Sequence, residues 1–235
     1  MALRNDLGIV LRTHPFGDSH KVVVLATPTR GKVRCVAKGV RKTKSRFGGR
    51  LEPFTVIDAV LYEGRELDTI TQVEVVDAFP RLREDLDALT IAGIMTELID
   101  QVLFEDEPSS DLFHLLRRAL AAVERGHRGP DLIALFFLRV ADHLGLAPAL
   151  DGCASCGSDE DLRFSIDSGG AVCAACGPAS AERIPPEVLA HLVAVRDDAG
   201  RTEQSQWSEP GVRLMQRFLE SHLERRLRTM AATRG

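Results

Sequence analysis

Two C-x-x-C pairs are the most chemically pointed feature of this 235-residue sequence. Cys153-Ala-Ser-Cys156 and Cys173-Ala-Ala-Cys176 stand 16 residues apart, the spacing of a zinc ribbon. Two residues between thiolates let both sulfurs of a pair reach one ion at ~2.3 Å from a tight turn. Gly157 and Gly177 follow the second cysteine of each pair and permit the open backbone of such knuckles. Four thiolates complete a tetrahedral shell and leave no position for water, so the expected site holds one structural zinc ion. A redox dithiol accounts for one C-x-x-C but not for two, and two disulfides need an oxidising compartment. The fifth cysteine, Cys35, falls on the apolar side of a strand pattern and is expected in the core.

A second feature is a concentration of positive charge. The formal net charge of −4 divides into +4 over residues 1–80 and −8 over residues 81–235. Residues 30–50 carry nine basic side chains and no acid: Arg30, Lys32, Arg34, Lys38, Arg41, Lys42, Lys44, Arg46 and Arg50. Lys21 lies just before them, and all five lysines of the chain fall between Lys21 and Lys44. One-sign density of this kind neutralises phosphate, an anionic membrane surface or an acidic partner; the bland alternative is a solvated loop. Aromatic residues are only 5% of the chain, which argues against extensive base stacking, and Phe47 is the aromatic expected to stack within the basic run.

No catalytic set accompanies these features. Walker A, dinucleotide-glycine, H-E-x-x-H and G-x-S-x-G patterns are absent from the sequence. His114, His191 and His222 fall on helical segments, where a surface or satisfied-core role is expected, and Glu105-Asp106-Glu107 reads as a solvated loop. The longest apolar run, residues 132–138, is far short of a membrane span, and Arg4 and Asp6 interrupt any secretory h-region. A cytoplasmic, non-enzymatic binding protein is the expectation.

The elements that must position these residues follow from hydrophobic period. Residues 5–79 contain five short β-branched runs separated by Gly- and Pro-rich turns. In the third run Val33, Cys35 and Ala37 face one way, while Lys32, Arg34 and Lys38 gather on the outer face. Five strands in about 75 residues suit a small closed barrel of the OB type, with a sandwich or SH3-like barrel as competitors. From about residue 84 the period becomes helical. Stripes at 91–102 and 112–123, a buried helix from Pro130, a helix at 186–199 and a last one at 210–229 are expected. The resulting α+β reading is an N-terminal five-stranded OB-fold barrel, then an all-helical domain carrying a four-cysteine, zinc-ribbon-like insertion. Its expected boundaries are 1–80 for the barrel, 81–149 with 185–235 for the helices, and 150–184 for the insertion.

The segment GDSHKVVVLATPTRGKVRCVAKGVRKTKSRFGGRLEPF, residues 17–54, resembles the opening of the RecO family of bacterial DNA repair and recombination mediators. The match is most specific at Thr27, Gly31 and Lys32, at Ala37 to Gly39, in the run Arg41 to Arg46, and at Leu51 to Phe54. Asp18-Ser19-His20 departs from the acidic-small-acidic pattern expected there and sets a titratable group beside Lys21. The order of barrel, helices and four-cysteine segment agrees over nearly the whole chain. The resemblance implies an OB-fold, no turnover, binding of single- and double-stranded DNA, and annealing of complementary strands. It also implies association with RecR and the single-stranded DNA-binding protein, and help in loading RecA onto coated strands near the nucleoid. An acidic, apolar-ended protein tail would need a groove with a basic rim, for which Arg117 with Arg118, or Arg225, Arg226 and Arg228, are candidates. The competing expectation is a zinc-ribbon regulatory protein whose OB domain binds structured RNA.

Overall fold

The computed structural model describes residues 2–42, 45, 47–198 and 205–232. Five strands close a barrel: β1 (Leu3–Phe16), β2 (His20–Thr27), β3 (Gly31–Ala37), β4 (Val56–Tyr62) and β5 (Asp68–Asp77). The order β1-β2-β3-β5-β4 is closed by β4 on β1, and the β3–β5 seam is parallel. This is the OB-like arrangement, and it settles the choice against an open sandwich. Long β1 serves both neighbours: Leu3 to Ile9 pair with β4, and Ile9 to Phe16 with β2. A register shift between Val10 and Arg12 supplies the bend this requires. The alternating β3 pattern behaves as its period dictates. Val33, Cys35 and Ala37 join Val10, Val23, Leu25, Ile57 and Ile70 in the barrel core, while Arg34 and Lys38 are exposed.

Helices follow: α1 (Arg81–Glu84), α2 (Leu86–Val102) and α3 (Ser110–Glu124). Asp85 separates the first two because its carboxylate accepts from the Ala88 N–H at 2.9 Å and caps α2. The loop after α2 docks on the barrel through Lys32 N–H, which donates to the Phe104 carbonyl at 2.9 Å. Gly31 makes that approach possible. Its φ is +62°, and a Cβ there would collide with the Glu107 carbonyl oxygen.

The remaining elements are α4 (Pro130–His143), the hairpin β6 (Leu162–Ser165) and β7 (Gly170–Cys173), α5 (Pro186–Asp197), α6 (Ser208–His222) and α7 (Arg228–Ala232). The chain divides into two compact units, residues 1–126 with 228–235, and residues 127–227. The helical run from residue 81 is therefore not one body. α1 to α3 and α7 fall in one unit with the barrel, and α4 to α6 in the other with the cysteine hairpin.

The single last helix expected over 210–229 is interrupted. Glu224 takes a left-handed φ of +52°, Arg225 N–H donates to the Glu220 carbonyl at 3.2 Å, and Glu224 N–H to the Ser221 carbonyl at 3.3 Å. This is a Schellman stop without its usual glycine, hence without its sequence signal. The chain restarts at α7, whose first N–H groups, on Arg228 and Thr229, donate to the Glu97 carboxylate at 2.7 and 2.8 Å. Arg225 and Arg226 thus lie in the connection, not in final helical turns.

A buried polar network joins the helices of the second unit. His191 Nε2 sits 2.8 Å from Asp131 Oδ1 and 3.2 Å from Ser208 Oγ, and Nδ1 lies 3.3 Å from Ser205 Oγ. A serine-hydrolase relay places its carboxylate and nucleophile on opposite ring nitrogens. Here Asp131 and the buried Ser208 share one, and Ser205 Oγ accepts the Trp207 N–H at 3.1 Å in the turn that opens α6. His191→Ala removes one hydrogen-bond partner from each of the buried Asp131 and Ser208. It should lower stability by about 1–3 kcal/mol, read as the shift of the urea midpoint with an unchanged slope.

Candidate nucleic-acid interface and metal centre

The candidate metal centre is built by a hairpin and two knuckles. β6 and β7 pair in register from Leu162↔Cys173 to Ser165↔Gly170. Outer segments flank them: Ala171 N–H donates to the Ala149 carbonyl, and Phe164 exchanges hydrogen bonds with Glu182, each at 2.8 Å. Each C-x-x-C closes its own turn. Gly157 N–H donates to the Cys153 carbonyl at 2.8 Å, and Gly177 N–H to the Cys173 carbonyl at 2.9 Å. The glycines differ in purpose. Gly157 has φ +76°, as a knuckle demands, whereas a Cβ on Gly177 would strike Val172 Cγ2 at 2.6 Å. Phe164 packs edge-on to Phe218 of α6, and Arg196 of α5 grips Asp151 with two hydrogen bonds of 2.9 and 3.2 Å.

The four Sγ atoms lie within 4.8 Å of one another, and Cys156 and Cys173 Sγ are 3.8 Å apart. A tetrahedron with bonds of ~2.3 Å has edges of about 3.8 Å, so the sulfurs fit a metal ion. Cys153 and Cys173 are buried, Cys156 and Cys176 exposed. Backbone N–H groups of Cys173, Cys156 and Ser155 pull the Cys153 thiol down to about 6. Hydrogen bonds with the Cys173 and Cys156 thiols push Cys176 up to about 12. A bound ion would replace these hydrogen bonds among the sulfurs with direct bonds to thiolates. Cys35 belongs to the barrel core, where burial, with Asp68 nearby, pushes its thiol up out of the thiolate range.

The ten cations assigned to DNA separate into groups. Arg30, at the β2–β3 turn, is a structural clamp. It holds Asp68 at 2.6 Å and Asp106 at 2.6–2.7 Å, and only 20% of its side chain is exposed. Burial pulls its guanidinium down, and the bonds to Asp68 and Asp106 more than reverse this. Lys32 reaches the Asp100 carboxylate at 3.3 Å and also the Asp100 carbonyl, and Arg12 meets the same carboxylate at 2.6 Å. Arg34 stands 3.8 Å from Glu105, and Lys21 3.4 Å from Glu52. Four cations on this side of the barrel thus face four carboxylates, Asp68, Asp100, Glu105 and Asp106. The acidic loop at 105–107, expected to be merely solvated, does much of this pairing.

At the opposite end of β3 the charge stays open. Lys38 and Lys42 are exposed and make no ion pair among the described residues, and neither does Arg41, whose Nη1 reaches the Gly17 carbonyl at 3.4 Å. Arg50 is exposed on the short 3₁₀ turn Gly48–Leu51 but is not without a partner. Lys44 and Arg46 lie outside the described residues. Phe47 is not a stacking surface. It is 2% exposed and plugs the barrel core beside Leu51, where the chain folds back over the barrel end. Of the arginines considered for a peptide rim, Arg117 is held by Asp77 at 2.7 Å.

The geometry defines an OB-barrel protein with a cationic β3–β4 loop and a helical region carrying four cysteines close enough to hold a metal ion. Two family models match in tandem, "Recombination protein O N terminal" over residues 1–79 and "Recombination protein O C terminal" over residues 83–231. The chain is 42% identical over 243 aligned positions to a DNA repair protein RecO of Nocardioides sp., covering 97% of this chain and 98% of that one. It is 43% identical over 199 positions to a DNA repair protein RecO of Rubrobacter xylanophilus, covering 82% and 80%. The chain belongs to the RecO family of DNA repair and recombination proteins. Among the described residues no helix is long and apolar enough to cross a membrane.

Proposed function

We infer that this protein is a non-enzymatic mediator of DNA repair and recombination in the bacterial cytoplasm. It binds single- and double-stranded DNA, anneals complementary strands, and acts with RecR and the single-stranded DNA-binding protein in loading RecA. The observation that carries the reading is the unpaired cationic end of an OB barrel in a chain of this family. Lys38, Arg41 and Lys42 project from one loop, while the β3 cations are occupied by acids. Such a surface follows a phosphate backbone without reading bases, as annealing of arbitrary sequences requires. Zinc is the ion proposed for Cys153, Cys156, Cys173 and Cys176, because four thiolates in a closed tetrahedron suit it and exclude a catalytic water. The ion would supply order to a hairpin with a small core, and no chemistry.

The test is annealing of two complementary oligonucleotides coated with single-stranded DNA-binding protein. The protein should accelerate pairing, and raising salt should abolish the effect. No acceleration, or preferential capture of single-stranded RNA of equal length in competition, contradicts the reading.

A further inference from the structure

With the paired cations set aside, the open positive charge sits beside a second turn, the one joining β1 and β2. The two turns are tied together. Arg41 N–H donates to the Ser19 carbonyl at 3.1 Å, Gly39 N–H to His20 Nδ1 at 2.9 Å, and Arg41 Nη1 to the Gly17 carbonyl at 3.4 Å. Phe16, the last residue of β1, stands opposite His20 in the register and next to Gly17. It is 48% exposed. Two other exposed aromatics have different neighbours. Phe104 adjoins the acidic 105–107 loop, and Tyr62 pairs with Leu3 far along β1 from the tied turns. Asp18 is the one acid in the β1–β2 turn, and Lys38, Arg41 and Lys42 outnumber it.

An exposed apolar ring at a turn tied to a loop of three cations suits a ligand with anionic charge and flat apolar faces at short spacing. Single-stranded DNA is such a ligand; a duplex offers the phosphates but keeps its base faces stacked inside. We propose that Phe16 is a base-stacking residue, which lets the cationic turns distinguish single strands from duplex. This rests on the DNA-binding reading above. The cations hold the backbone of either form, and Phe16 adds affinity only where a base is free to leave the stack. The loop between β1 and β2 of OB barrels is a recurrent place for such contacts. The aromatic that the basic run itself contains, Phe47, is buried, so this role falls to a residue outside that run.

The experiment compares the full-length protein with Phe16→Ala and Phe16→Trp on three probes: a single-stranded oligodeoxynucleotide, an abasic strand of equal length, and a duplex. The unaltered chain should prefer the ordinary strand to the abasic one. Phe16→Ala should lose about 5- to 150-fold on the ordinary strand, with abasic and duplex binding and the salt slope nearly unchanged. Phe16→Trp should retain the preference. Thermal unfolding of the Ala variant should match the parent, since the side chain is half exposed. Equal binding of ordinary strand by parent and Phe16→Ala overturns the proposal, and so does parallel loss on all three probes. A parent chain that binds none of the probes removes the DNA-binding reading itself.

Discussion

Replacing Cys173 by serine should strip the metal from the protein and melt the β6–β7 hairpin. Cys173 is a buried member of the four-cysteine cluster, the partner of Leu162 in the hairpin register, and the acceptor, through its carbonyl, that closes the second knuckle. The hairpin's own apolar cluster is small, with Val172, Ala181 and Leu162 packed around the two buried cysteines. Structural zinc contributes about 10 kcal/mol or more to isolated fingers of this kind. Here Ala149, Glu182 and the Phe164–Phe218 contact retain part of the order, so the loss should be local. Elemental analysis should fall from one zinc per chain to a small fraction of that. Amide exchange across 162–173 should accelerate while the barrel stays protected. Lowering the pH should release the ion as protons compete for the thiolates. Full zinc in Cys153→Ser or Cys173→Ser, or none in the parent, contradicts the assignment.

Reversing Lys38, Arg41 and Lys42 together to glutamate should weaken binding to single strand and duplex alike, by on the order of 100-fold at moderate salt. The slope of log affinity against log salt should fall by about 0.7 to 0.9 for each phosphate contact removed. The sequence of the probe should make no difference, because phosphate contacts carry no base information. Arg30→Gln provides the contrast. It leaves the buried Asp68 without its counter-charge, so it should cost about 3 kcal/mol of stability. DNA affinity of the folded Arg30→Gln fraction should change little. A triple variant that binds as tightly as the parent, with an unchanged salt slope, excludes the loop as the interface.

Much of the architecture is legible along the chain because it is local. Period two announces five strands and puts Val33, Cys35 and Ala37 inside. The spacing of four cysteines announces a knuckled hairpin, since each pair closes its own turn. The helix starts at residues 86, 110 and 130 carry Asp85, Ser109 and Pro130 at their entrances. What the chain does not display is who meets whom. Arg30, Lys32 and Arg34 read along the chain as three more phosphate ligands, and tertiary folding sets Asp68, Asp100, Glu105 and Asp106 beside them from 38 to 76 residues away. A strand pattern reports which face a side chain takes, not what lies opposite it. Phe47 shows the same limit, because a loop aromatic becomes core only when the loop closes the barrel end. The stop at Glu224 carries no glycine to announce it, and the N–H groups beyond it are held by carboxylates that local pattern does not show, Glu220 of α6 on Leu227 and Glu97 of α2 on Arg228 and Thr229. Composition, period and spacing specified the elements and the four cysteines that cluster; the identity of the free cations was decided by long-range pairing, because a charge is open or neutralised only by what folding places beside it.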